Sequence, residues 1–131
     1  MPLSAVLGPY LGSREELLLQ RENPLKYWER ADVVALDDAR LGSPAKGPRW
    51  AHYGYDPSLA DPKGSISHSE EAKRIVANLD SHGTWATKDP RMCLLAAEWL
   101  PLLSSPICVM VEREVSEWAW SIARGCGITE E

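Results

Sequence analysis

The stretch GTWATKDPRMCLLAAEWL, residues 83–100, decides how this chain is read, because its pattern changes from β-prone to helical across four residues, Lys88 to Arg91. Thr84 to Thr87 are short-range β formers bounded by Gly83, which predicts a short strand ending at Lys88. Asp89 then stands where a helix N-cap belongs and Pro90 where the first helical residue belongs, so a helix follows until Pro101. Lys88, Asp89 and Arg91 therefore crowd charge into the mouth of what otherwise reads as core.

Working toward the C-terminus, PICVMV (106–111) is a continuous apolar run of strand length, as expected for a strand covered on both faces. Arg113 follows it, and VSEWAWSIAR (115–124) reads as a helix stopped by Gly125. Strand, helix, strand, helix with a short crossover predicts parallel strands and a right-handed connection. The fold class expected is therefore α/β, three-layered, with a mostly parallel sheet. Such sheets bind ligands beyond the carboxyl ends of their strands, where helix N-termini also point. Lys88 and Arg113 both fall there, which points to an anionic ligand. The plainer reading is a solvated Lys88, Asp89 as a cap only, and Arg91 paired with Asp89 or another carboxylate.

Upstream, Ala72, Ile75, Val76 and Leu79 recur at the spacing of one helical face, so SHSEEAKRIVANLDSHG contains a helix. Gly42 to Gly64 is rich in Gly and Pro, with Trp50, Tyr53 and Tyr55 between, and reads as a long connector suited to substrate contacts or a lid. Asn23-Pro24 predicts the start of a helix running to Gly42, and Ser13 with Glu16 forms a capping box that opens a short helix over SREELLLQ.

Composition narrows the function. A chain of 131 residues, 44% of them hydrophobic, is one domain's worth and can bury a core. A net charge of -5 argues against a general nucleic-acid binder. The three cysteines, Cys93, Cys108 and Cys126, form no CxxC pair and leave an odd thiol, so neither a disulfide framework nor a zinc site is expected, and Cys93 and Cys108 read as small core residues. His52, His68 and His82 lack metal-ligand spacing. The opening residues lack a signal-peptide pattern and no run approaches membrane-spanning length, so the expectation is a cytoplasmic protein with no metal.

The residues carry a resemblance. WATKDPRMCLLAAEWLPLL followed by ICVMVEREVSEWAWSIAR resembles the middle of a P-loop sulfotransferase that uses 3'-phosphoadenosine 5'-phosphosulfate (PAPS), in the bacterial-type branch with a KDPR-like element. Arg113 and Ser121 keep that branch's spacing of an arginine followed eight positions later by a serine. The upstream segment LGPYLGSREELLLQRENPLKYWERADVVALDDARL is similar to the region after the family's P-loop, and residues 43–68 diverge.

The resemblance implies that Arg113 and Ser121 hold the 3'-phosphate of the nucleotide, that Lys88 sits near the transferring sulfuryl group, and that Glu29 takes the proton of an acceptor hydroxyl. It implies a small-molecule or carbohydrate acceptor and transfer chemistry governed by positioning and electrostatics, with no covalent intermediate. It also implies an incomplete domain. The family's Gly- and Ser-rich donor loop and its strand have no counterpart here, which leaves a helical region (1–42), a variable loop (43–68) and a helix with the βαβα segment (69–131). Activity is then expected to be impaired, and an open sheet edge favours a homo-oligomer. Two alternatives stay open: a kinase-like nucleotide-binding fragment, and a non-catalytic module whose tryptophans and sheet edge engage a partner protein.

Overall fold

The buried core is built on one face of the helix Glu70–Asp80, and its sequence explains why. The computed structural model describes residues 8–18, 28–42 and 64–126; within them α1 is Ala31–Leu41, α2 is Glu70–Asp80, α3 is Met92–Trp99 and α4 is Val115–Cys126. On α2 the side chains at 3.6-residue spacing, Ala72, Ile75, Val76 and Leu79, are all buried. Ser69 caps the helix by accepting from the Ala72 N–H at 3.3 Å, and Glu70 and Glu71 complement the positive end of the helix dipole. The solvent side carries the ion pairs Lys73–Glu70 and Arg74–Glu71.

Val33 of α1, Leu95 and Trp99 of α3, and Ile66 from a 3-10 turn at Ile66–His68 complete the core around the α2 face. Tyr10, Leu36, Trp85 and Met92 pack against its rim. A second 3-10 turn, Leu100–Leu102, ends α3 at Pro101. Two charged contacts tie the layers together. Arg40 of α1 holds Glu98 of α3 at 2.9 Å, and Glu98 also accepts the Ile66 N–H at 2.9 Å. Arg30, buried at the start of α1, binds Asp32 at 2.7 Å, Glu16 at 3.4 Å and Asn78 of α2 at 3.3 Å.

The expected α/β sheet is corrected by this arrangement. Among the described residues there is no β-strand, so neither the three-layer parallel sheet nor a P-loop-type fold is present in them. TWAT forms only a parallel bridge between Trp85 and Tyr10, closed by Tyr10 N–H to Thr84 O and Ala86 N–H to Tyr10 O, both 2.9 Å. PICVMV has no regular secondary structure and no backbone pairing among the described residues, and Ile107, Val109, Met110 and Val111 are 79–91% exposed. The physical reason is one of partners. The apolar faces of α1, α2 and α3 satisfy one another, and a run of β-prone residues becomes a strand only where a neighbour takes its backbone hydrogen bonds.

Other expectations shift in detail. Half of the capping box forms, with the Ser13 N–H donating to Glu16 Oε2 at 2.7 Å, while the Glu16 N–H donates to the Ser13 carbonyl at 3.1 Å and closes a turn only; Leu17 then pairs with Arg30 in an antiparallel bridge. Helix α1 begins at Ala31 after an extended Arg30, later than Asn23-Pro24 suggested, and ends at Gly42 in the left-handed region (φ 68°). Residues 23–27 and 43–63, with Trp50, His52, Tyr53 and Tyr55, lie outside the described residues. Cys93 and Cys108 are exposed free thiols, not core residues: Cys93 lies away from the buried Leu95 and Trp99 of α3, and Cys108 sits in a segment that is exposed along its whole length. His82 stacks on Tyr10 with ring centroids 3.7 Å apart. No helix is long and apolar enough to cross a membrane among the described residues.

Candidate functional site

Lys88 and Arg91, at the head of α3, are held by carboxylates of α1 and its N-terminal approach. Lys88 Nζ lies 2.5 Å from Glu29 Oε1, joining two residues 59 positions apart in the sequence. Glu29 is 8% exposed and Lys88 53%, so the pair has one wall in the protein and one side in solvent. Glu29 is fixed by its backbone: its carbonyl accepts the Leu18 N–H at 2.8 Å, and Ala31 N–H donates to Glu16 O at 2.8 Å. Trp28, immediately before it, takes φ 58°. Left-handed backbone at a bulky residue costs about 1–3 kcal/mol and tends to be kept where it aims a side chain. The Lys88 side of the pair is set by the Tyr10–Trp85 bridge and by the Trp85 indole, which donates to Asp80 Oδ1 at 2.7 Å.

Asp89 and Arg91 continue the site. Asp89 is buried, and its Oδ1 accepts both the Arg91 N–H and the Arg91 guanidinium, each at 2.9 Å. Arg91 Nε also donates to Asp38 of α1 at 2.5 Å. The charge at the head of α3 is thus neutralised by carboxylates: Glu29 for Lys88, Asp38 and Asp89 for Arg91. For Arg91 the plainer reading of the sequence is the right one, a structural partner.

One member of the group has no counterpart among the residues singled out from the sequence. Asp37 of α1 is fully buried, and its Oδ1 accepts the Trp99 indole N–H at 2.8 Å. Burial, with the facing charge of Asp89, pushes its carboxyl up to about 7 against the pull of the Trp99 hydrogen bond. The other oxygens, Asp37 Oδ2 and Asp89 Oδ2, are buried without a hydrogen-bond partner among the described residues, as is Thr87 Oγ1. A signal for Asp37 does exist in the sequence. It falls three and four residues after Val34 and Val33, so a carboxylate occupies an apolar-face position of the helix.

Arg113 and Ser121 belong to the C-terminal arm. Arg113 precedes α4 and lines a shallow depression with Val111, Val115 and Trp118. Ser121 is on α4, three residues after Trp118 and so on the neighbouring position of the same helical face. Lys88 pairs with Glu29, and Arg91 with Asp38 and Asp89. The sequence placed Lys88 and Arg113 at one shared sheet edge; without the sheet, that common frame is lost. No group of side chains suited to a metal ion occurs among the described residues. Comparison with protein-family models, with curated proteins and with solved structures found no match.

Proposed function

We propose that this protein takes part in sulfuryl transfer from PAPS to a hydroxyl or amine acceptor, with Lys88 and Glu29 at the reacting end and Arg113 and Ser121 toward the nucleotide. The observation that carries the reading is the ion pair between Lys88 and Glu29, since a cation and a carboxylate at one half-open position are the two groups such a transfer asks for. PAPS supplies an activated sulfuryl group and leaves as adenosine 3',5'-bisphosphate. Glu29 uses one oxygen to hold Lys88 and leaves Oε2 to take the acceptor's proton as the bond from the acceptor to sulfur forms. Lys88 neutralises charge that gathers on the bridging oxygen as its bond to sulfur breaks. Protons and charge balance without a covalent enzyme intermediate.

The chain's own groups fit the nucleotide in kind. The Arg113 guanidinium offers a planar fork to a phosphate, and the Trp118 indole lining the same depression offers an aromatic face to a purine. A second reading, a protein-interaction module that also associates with itself, is favoured by the exposed apolar run from Ile107 to Val111.

The test is release of adenosine 3',5'-bisphosphate from PAPS over a panel of phenol, alcohol and amine acceptors. Removing one group that acts mainly in the transition state lowers turnover about 100- to 1,000-fold, so Lys88→Met is expected to do this with little change in nucleotide affinity. Arg113→Ala is expected to weaken adenosine bisphosphate binding more than Arg124→Ala. Equal effects of the two arginine changes, or turnover indifferent to Lys88, count against the reading. A stable protein complex formed without nucleotide, together with no transfer, supports the second reading instead.

A further inference from the structure

Two buried oxygens without partners stand on Asp37 of α1 and Asp89 at the head of α3, and the Arg91 guanidinium draws these segments together by binding both Asp89 and Asp38, the chain neighbour of Asp37. Each carboxyl spends its other oxygen on a donor: Asp37 Oδ1 on the Trp99 indole, Asp89 Oδ1 on the backbone and guanidinium of Arg91. Buried polar atoms without partners are costly, and two bare carboxylates in contact are costlier still. One proton removes both problems at once.

We propose that Asp37 carries a proton on Oδ2 that it donates to Asp89 Oδ2, and that this proton sets the position of Lys88 by holding the Lys88–Arg91 turn onto α1. With the proton in place, Asp37 donates to Asp89 and the turn is drawn down. Without it two negative charges oppose each other in a buried site, and the cheapest relief is for the turn to move off α1. Lys88 is bonded directly to Asp89 in the chain, so its grip on Glu29 loosens with the turn. The groups around the pair do not supply a competing proton acceptor. Asp38 is held by Arg91, Glu98 of α3 by Arg40 of α1, and Lys88 by Glu29, while α2 turns Ala72, Ile75, Val76 and Leu79 toward the core. Asp37 is the group that titrates, and burial with the Asp89 charge moves its titration up to about 7. The functional consequence rests on the proposed transfer reaction: Lys88 is best placed below that pH and displaced above it, which makes Asp37 a positioning residue.

Carboxyl carbon NMR on the whole chain tests the pair without requiring activity. The Asp37 resonance is expected to titrate with a midpoint near 7, and Asp89→Asn is expected to move that midpoint down by about one unit or more, because the facing charge is gone. The side-chain resonances of Lys88 are expected to follow the same midpoint in the native chain and to lose that step in Asp37→Asn, whose amide keeps the carbonyl for Trp99 and donates permanently to Asp89. An Asp37 midpoint in the ordinary carboxylate range near 4, or one that Asp89→Asn leaves unmoved, overturns the donated proton. Lys88 resonances indifferent to the Asp37 titration overturn the positioning role. A midpoint near 7 with no transfer from PAPS at any pH upholds the carboxyl pair and removes the proposed reaction.

Discussion

Two apolar stretches of this chain meet opposite fates. In α2 the apolar residues come every third or fourth position, the start is capped, and the charges lie on the far side; Ala72, Ile75, Val76 and Leu79 end buried. From Ile107 to Val111 the apolar residues are consecutive, and they end as exposed as any charged surface. The difference is in what each pattern demands. A helical stripe needs cover on one side, which α1 and α3 supply, whereas an unbroken run needs cover on two faces and along two edges. Among the described residues nothing supplies that, so hydrophobicity alone does not place a segment in a core.

The comparison can be broken most directly by truncation. Leu79→Ala is expected to destabilise by about 2–5 kcal/mol in urea unfolding, while Val109→Ala changes stability by less than about 0.5 kcal/mol. Similar losses at both sites would mean that the 106–111 segment is packed. Next in size, Arg91→Met strips the buried Asp89 of its cation, a change of about 2 kcal/mol, reduced from the roughly 3–5 kcal/mol of a fully buried pair because Arg91 is 22% exposed. Arg113→Met, on the exposed arm, is expected to leave stability unchanged.

Protons separate the two regions more finely, and the signs oppose. Glu16 is held below the usual range by hydrogen bonds from the Tyr10 hydroxyl and the Ser13 N–H. Burial works to raise Glu98, but the Arg40 and Ile66 donors outweigh it and lower it too. For both, stability is fully present above the unfolded value of about 4.5 and is lost as the pH falls through the lower folded values. Asp37 is raised, so the folded state holds its proton more tightly than the unfolded chain. Its contribution is greatest below the unfolded value of 3.8 and is lost as the pH rises toward about 7, at up to about 1.4 kcal/mol per pH unit. Asp37→Asn is expected to remove that loss between 3.8 and about 7 and to keep the losses set by Glu16 and Glu98; superimposable profiles would contradict the assignment. The smallest effect is spectroscopic. Trp99 is 5% exposed against 58% for Trp118 and 55% for Trp120, so Trp118→Phe and Trp120→Phe are expected to remove fluorescence that acrylamide quenches, and Trp99→Phe fluorescence that it does not.

The helical part of the fold was legible in the sequence. The α2 face is the one its spacing predicts and α1 ends at Gly42 as expected, while α4 starts at Val115 as VSEWAWSIAR suggests but runs through Gly125 to Cys126. The sheet was not, because periodicity reports what a segment would bury but not whether a neighbour is present to pair with it. TWAT and PICVMV carry strand composition, and the first finds only Tyr10. At the site, the family resemblance marked Lys88 and Glu29 together, but spacing along the chain does not show that they pair; a left-handed Trp28 and the pairing of Leu17 with Arg30 lie beside Glu29 where they meet. Asp37 was passed over although it interrupts an apolar face, and it is the interruption of a pattern, more than its continuation, that marked the buried charge.

Amide hydrogen exchange tests the contrast in a single experiment. The amides of residues 75–79 and 95–99 are expected to exchange only through global opening, and those of 107–111 at rates close to an unstructured peptide. Protection of 107–111 comparable to that of α2 would show those backbone groups to be paired, and would contradict a helical core with an uncovered C-terminal arm.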